Sequence, residues 1–115
     1  MTGRAPHPDK AALALLDPDG GFPDRLRQDR AALKALRGRL RSGEGETKAL
    51  LAALETLAHR LAGAAGTFGY GAVGTAAMEL EDCLAEAKDT TPDGVVDTVI
   101  GKADRLDMAI GTAVD

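Results

Sequence analysis

Four stretches of this chain place an apolar residue at every third or fourth position, and that spacing commits most of it to amphipathic helices. The first stretch, about residues 23–41, has Phe22, Leu26, Leu33, Leu36 and Leu40 in register. The second, about residues 46–67, has Leu50, Leu54, Leu57, Leu61, Ala64 and Phe68. Val73, Ala77, Leu80, Leu84 and Ala87 mark the third, about residues 72–88, and Val96, Val99, Ala103, Leu106, Ile110 and Ala113 mark the fourth. The breaks between them are short and rich in turn residues: Ser42-Gly43-Glu44-Gly45, Gly69-Tyr70-Gly71 and Asp89-Thr90-Thr91. Pro23 suits the opening of the first helix, and Thr91 followed by Pro92 suits the opening of the last. Long amphipathic helices joined by tight turns bury their stripes against their neighbours, so the expected fold is all-α, an antiparallel up-down four-helix bundle over residues 22–115. Residues 1–21 form an N-terminal extension. A short helix is expected there over residues 9–16, with Asp9 as its cap and Asp17-Pro18-Asp19-Gly20-Gly21 to stop it.

Composition narrows the function classes. The chain has 115 residues, 3% aromatic and no Trp, so its core rests on Leu, Ala, Val and Ile. The net charge of −4 argues against nucleic acid and anionic membrane as partners. Cys83 is the single cysteine, which excludes a disulfide framework and a cysteine metal site; its place beside the third stripe makes it a small packing residue. The two histidines, His7 and His59, supply no Glu-x-x-His pair for a bundle di-metal site, so no metal is expected. No apolar run is long enough to cross a bilayer. A soluble, cytoplasmic monomer is expected. The first helix is the basic one, with Arg25, Arg27, Arg30, Lys34, Arg37, Arg39 and Arg41. That array reads as a solvated face before it reads as a docking patch.

The second helix carries the residue most suited to chemistry. At about 100° per residue, His59 projects roughly opposite the Leu50–Leu61 seam. Its surroundings, Ala52, Ala62, Gly63 and Gly66, are bare for an exposed helical face. Gly63 inside a helix costs about 1 kcal/mol relative to Ala, and packing gives it no purpose on that side. Access explains it: a large partner must come close to His59. His7 lies in a proline-containing start and is an ordinary surface histidine.

The run His59-Arg60-Leu61-Ala62-Gly63, with Gly69 ten positions after the histidine and Leu80-Glu81 on the next helix, resembles the histidine-containing phosphotransfer (HPt) domains. The resemblance covers about residues 22–113 and is most specific around His59. Its implication is a phosphoryl carrier of two-component signal transduction with His59 as the phospho-accepting residue. Such a domain takes the phosphoryl group from a receiver-domain phospho-aspartate and passes it to another receiver in a multistep phosphorelay. The partners implied are the receiver domains of response regulators and hybrid histidine kinases. One position departs from the family pattern: the usual lysine three residues after the histidine is Ala62.

The residues themselves agree with that chemistry. A neutral imidazole is a nucleophile near pH 7 and can hold a phosphoryl group as a phosphoramidate. The chain has no Gly-rich phosphate loop and no kinase signature, so it is not expected to be an enzyme with its own ATP site. No cofactor is expected in this chain; the partner would supply the acid cluster and Mg²⁺. Glu55, one turn before His59, either hydrogen-bonds the ring or is a plain surface partner. Arg60 either lends positive charge to the phosphoryl group or is a solvated arginine. Glu81 falls where some HPt domains place a polar residue against the histidine, and a carboxylate there repels a phosphoryl group unless it points away. A helical docking module that binds a receiver or kinase without accepting phosphate is the alternative.

Overall fold

The computed structural model describes residues 20–87 and 92–114. Four helices occupy them, α1 (Phe22–Ser42), α2 (Thr47–Thr67), α3 (Gly71–Ala87) and α4 (Pro92–Val114), and no strand occurs among the described residues. Each helix packs on its neighbours in the chain, and α4 closes the ring against α1. That circuit is the expected antiparallel up-down four-helix bundle. The short helix expected over residues 9–16 and the Thr91 cap lie outside the described residues.

The apolar stripes meet in one core. Leu26, Leu33, Leu54, Leu61, Leu80, Leu106 and Ile110 are fully buried in it. The α3 stripe is buried at every expected position. On α2 the expected seam shifts by a few residues: Ala64 and Phe68 are half-buried, while Ala58 and Ala65 are fully buried. For Ala65 the reason is the close approach of α3. A Cβ placed on Gly74 of α3 would lie 3.6 Å from the backbone nitrogen of Gly66 and 3.8 Å from the Ala65 Cβ. Small residues on both helices let the backbones come together, which widens the buried face of α2 toward α3. On α1, Leu36 is half-buried, and on α4 Val96 and Ala113 are half-buried.

Helix ends are fixed by backbone geometry more than by side-chain caps. At the end of α2, the Tyr70 amide donates to the Ala65 carbonyl at 2.8 Å and the Gly69 amide to the Gly66 carbonyl at 3.3 Å. This is a Schellman motif, and it demands the left-handed backbone that Gly69 adopts at φ 87°. The three-residue connection is then clamped by all the aromatic residues of the chain. Phe22 stacks on Phe68 at 4.5 Å and meets Tyr70 at 5.2 Å. His59 lies about 12 Å back from the turn on α2 and Glu81 about 15 Å forward on α3 at 1.5 Å per residue. The clamped turn therefore brings those two residues to the same level.

The basic face of α1 is only partly solvated. Arg30 reaches Asp107 of α4 at 2.6 Å, and Arg37 bonds Asp104 at 2.8 Å and Asp107 at 3.1 Å. Arg41 adds a longer contact to Asp104 at 3.6 Å. Gly111 makes room for this ladder, since a Cβ there would sit 2.6 Å from Arg30 Nη2. Burial pushes the Asp107 carboxyl up. The hydrogen bonds from Arg30 and Arg37, with the charges of Arg30 and Lys34, outweigh it and hold the group below its ordinary value of 3.8.

Candidate functional site

His59 stands in the second half of α2, with its side chain 78% exposed. Ala58 and Leu61 on either side of it are buried, so the helix is anchored by its inner face while the imidazole faces out. The ring leans toward α3. Its Nδ1 lies 2.5 Å from Oε2 of Glu81, whose side chain is 29% exposed. A carboxylate only accepts, so Nδ1 carries the proton in this pair. In the neutral ring, that tautomer leaves the Nε2 lone pair free and on the far side of the ring from the carboxylate. Glu81, not Glu55, is thus the partner of Nδ1. Glu55 is half-buried one turn earlier on α2.

The glycines around the imidazole open the surface. A Cβ built on Gly63 or on Gly66 would have no heavy atom within 4 Å. Neither residue is demanded by a neighbouring helix at that point. Ala62 is half-buried and packs at the edge of the core on the α3 side. Met78 lies on α3 one turn before Glu81 and is 55% exposed.

Arg60 does not share the face of His59. Its Nη2 donates to Asp29 Oδ1 of α1 at 2.6 Å. Asp29 is the residue that sequence reasoning missed. It occupies a stripe position between Leu26 and Leu33 that an apolar residue would ordinarily fill, and it is only 7% exposed. The signal that could have found it is that interruption: spacings of four and three from Phe22 run through positions 26, 29, 33, 36 and 40, and only position 29 is charged. Cys83 is half-buried, and burial first, then the charge of Glu86, pushes its thiol pKa up against an opposing pull from Lys102. Among the described residues, no group of three His, Cys, Asp or Glu side chains comes together to hold a metal ion. No described helix is long and apolar enough to cross a membrane.

The antiparallel bundle thus presents the His59 imidazole to solvent, with Nδ1 engaged by a carboxylate from the next helix. The family model described as the Hpt domain matches residues 22–110, and the chain belongs to that family. Membership carries the coarse role with it: phosphotransfer in two-component signalling, by a module that interacts with receiver domains. No curated protein and no solved structure matches the chain.

Proposed function

We propose that this protein is a phosphorelay intermediate in which Nε2 of His59 takes the phosphoryl group from a receiver's phospho-aspartate and delivers it to a second receiver. The observation that carries the reading is the His59–Glu81 pair: an exposed imidazole with Nδ1 engaged at 2.5 Å and Nε2 open. In the forward step Nε2 attacks phosphorus, the bond between phosphorus and the aspartyl oxygen breaks, and the carboxylate leaves. Positive charge develops on the ring as the P–N bond forms. It resides largely at Nδ1–H, where the Glu81 carboxylate meets it. The same geometry run backward returns the phosphoryl group to a second aspartate.

The carboxylate does not oppose the phosphoryl group, because it stands at the other nitrogen. Positive charge for the phosphoryl oxygens is left to the partner, whose Mg²⁺ supplies it when bound. Gly63 and Gly66 keep the approach to Nε2 clear. Support for the family role comes from membership; support for His59 comes from its exposure and its tautomer.

The test is transfer from the phosphorylated receivers of the source organism. Acid-labile phosphate should appear on the wild-type chain and vanish in His59→Gln, with helicity and melting nearly unchanged because the exposed ring contributes little to packing. Transfer that persists in the variant would point to another acceptor. Receiver binding without any transfer would favour a docking module.

A further inference from the structure

Asp29 interrupts an otherwise apolar stripe, and such an interruption is costly. The side chain of its partner Arg60 is 57% exposed, so solvent screens the attraction and it does little to offset the burial of the carboxylate; the pair needs a reason other than stability. Its location offers one. Arg60 directly follows His59, yet its guanidinium is drawn to α1 by Asp29 at 2.6 Å, while the imidazole leans to α3. The carboxylates Glu55 and Glu81 lie on the His59 side, and position 62 is an alanine. The cation adjacent in sequence to the acceptor is therefore the one that the fold turns away.

We propose that Asp29 is a positioning residue that raises the phosphoryl-transfer potential of His59 by holding Arg60 away from the phosphoryl group. The inference rests on His59 being the acceptor. An arginine free to turn would meet the carboxylates of Glu55 and Glu81 in both states, but only in the phosphorylated state would it also donate to the phosphoryl oxygens. It would stabilise phosphohistidine and make the group slower to give up. Held by Asp29, Arg60 leaves the phosphoryl charge to be met by whichever receiver docks.

The experiment is an exchange equilibrium with phosphoramidate in ammonium buffer, using the full chain. The P–N bond of phosphoramidate, whose nitrogen is already protonated, breaks and the bond from phosphorus to Nε2 forms; ammonia leaves and takes up a buffer proton as ammonium, while Nδ1–H stays with Glu81. At a fixed ratio of phosphoramidate to ammonium, the ratio of phosphorylated to free His59 reads the transfer potential. Asp29→Leu restores the apolar stripe and frees Arg60. It should raise that ratio about two- to five-fold, the range of an exposed charge contact. Asp29→Asn, which keeps the shape and removes the charge, should move it the same way by less and carries the test if the leucine variant misfolds. The double variant Asp29→Leu with Arg60→Ala should return to the wild-type ratio. A change in packing alone would move the melting temperature without moving this ratio. Equal ratios in wild type and both single variants, with His59 labelled in all, would overturn the role of Asp29. So would a double variant that keeps the raised ratio. A wild-type chain that takes no label on His59 would instead overturn the acceptor reading on which the inference stands.

Discussion

At the scale of single residues, the division of labour between the two ring nitrogens of His59 decides what the site can do. In the proposed reading, Glu81 holds Nδ1–H and leaves Nε2 open to act as the nucleophile. A hydrogen bond to a charged group is worth ~1.5–3 kcal/mol, so its loss from a step in which the ring gains positive charge costs roughly tenfold or more in rate. Glu81→Ala should therefore slow phosphoryl acceptance by about tenfold, measured as the rate of label transfer from a phosphorylated receiver. Transfer at the wild-type rate would show that the pair does not assist the step. His59 was legible as the candidate acceptor because it sits opposite an apolar seam, is followed by Gly63 and Gly66, and opens a run that resembles the HPt motif. Glu81 was legible only as a position on the next helix. Which way it pointed depended on the register of α2 against α3, and that register is set by the Gly69 turn together with an aromatic cluster whose contact to distant Phe22 no local pattern encodes.

At the scale of elements, α2 combines a tightly packed inner face with an outer face kept small. A Cβ on Gly63 would meet nothing within 4 Å, so a longer side chain is free to stand out over the surface beside His59. Gly63→Gln should obstruct a docked receiver and slow transfer severely. The same change removes a helix-interior glycine and should hold or raise stability by up to about 1 kcal/mol. Function and stability should move in opposite directions, read by receiver transfer and by urea melts of one preparation. Phosphoramidate, which needs no docking surface, should still label His59 in the variant. Loss of stability in Gly63→Gln would contradict the open surface seen here. The helices themselves were legible to within a residue or so at their ends, because stripe and turn residues agree. The width of the buried face of α2 was not, since Ala65 lies where Gly74 lets α3 approach closely.

At the scale of the whole molecule, the bundle is closed by an ion-pair ladder between α1 and α4. Arginines that read as a solvated face in sequence turn out to bond Asp104 and Asp107, aspartates more than sixty positions away. Charge counting along one helix cannot see that pairing. It has a consequence for acid stability. The Asp107 carboxyl is held below its ordinary value of 3.8 in the folded protein. A group with a lowered folded pKa contributes stability above its unfolded pKa and loses it as pH falls through the folded one. The urea midpoint of the wild type should therefore drop steeply below about pH 4, and Asp107→Asn should start lower at neutral pH and lose less on acidification. Parallel pH profiles would show that the ladder contributes nothing to the closure of the bundle.

The central claim is that Nε2 of His59 is the atom that carries phosphorus. The most direct measurement is NMR of the chain labelled with ¹⁵N-histidine, after phosphorylation by phosphoramidate or by a receiver, with ³¹P–¹⁵N coupling used to assign the bonded nitrogen. The account predicts coupling to Nε2 of His59, with Nδ1 still protonated and bonded to Glu81. Phosphorus on Nδ1 of His59, or on His7 with His59 unmodified, would contradict it.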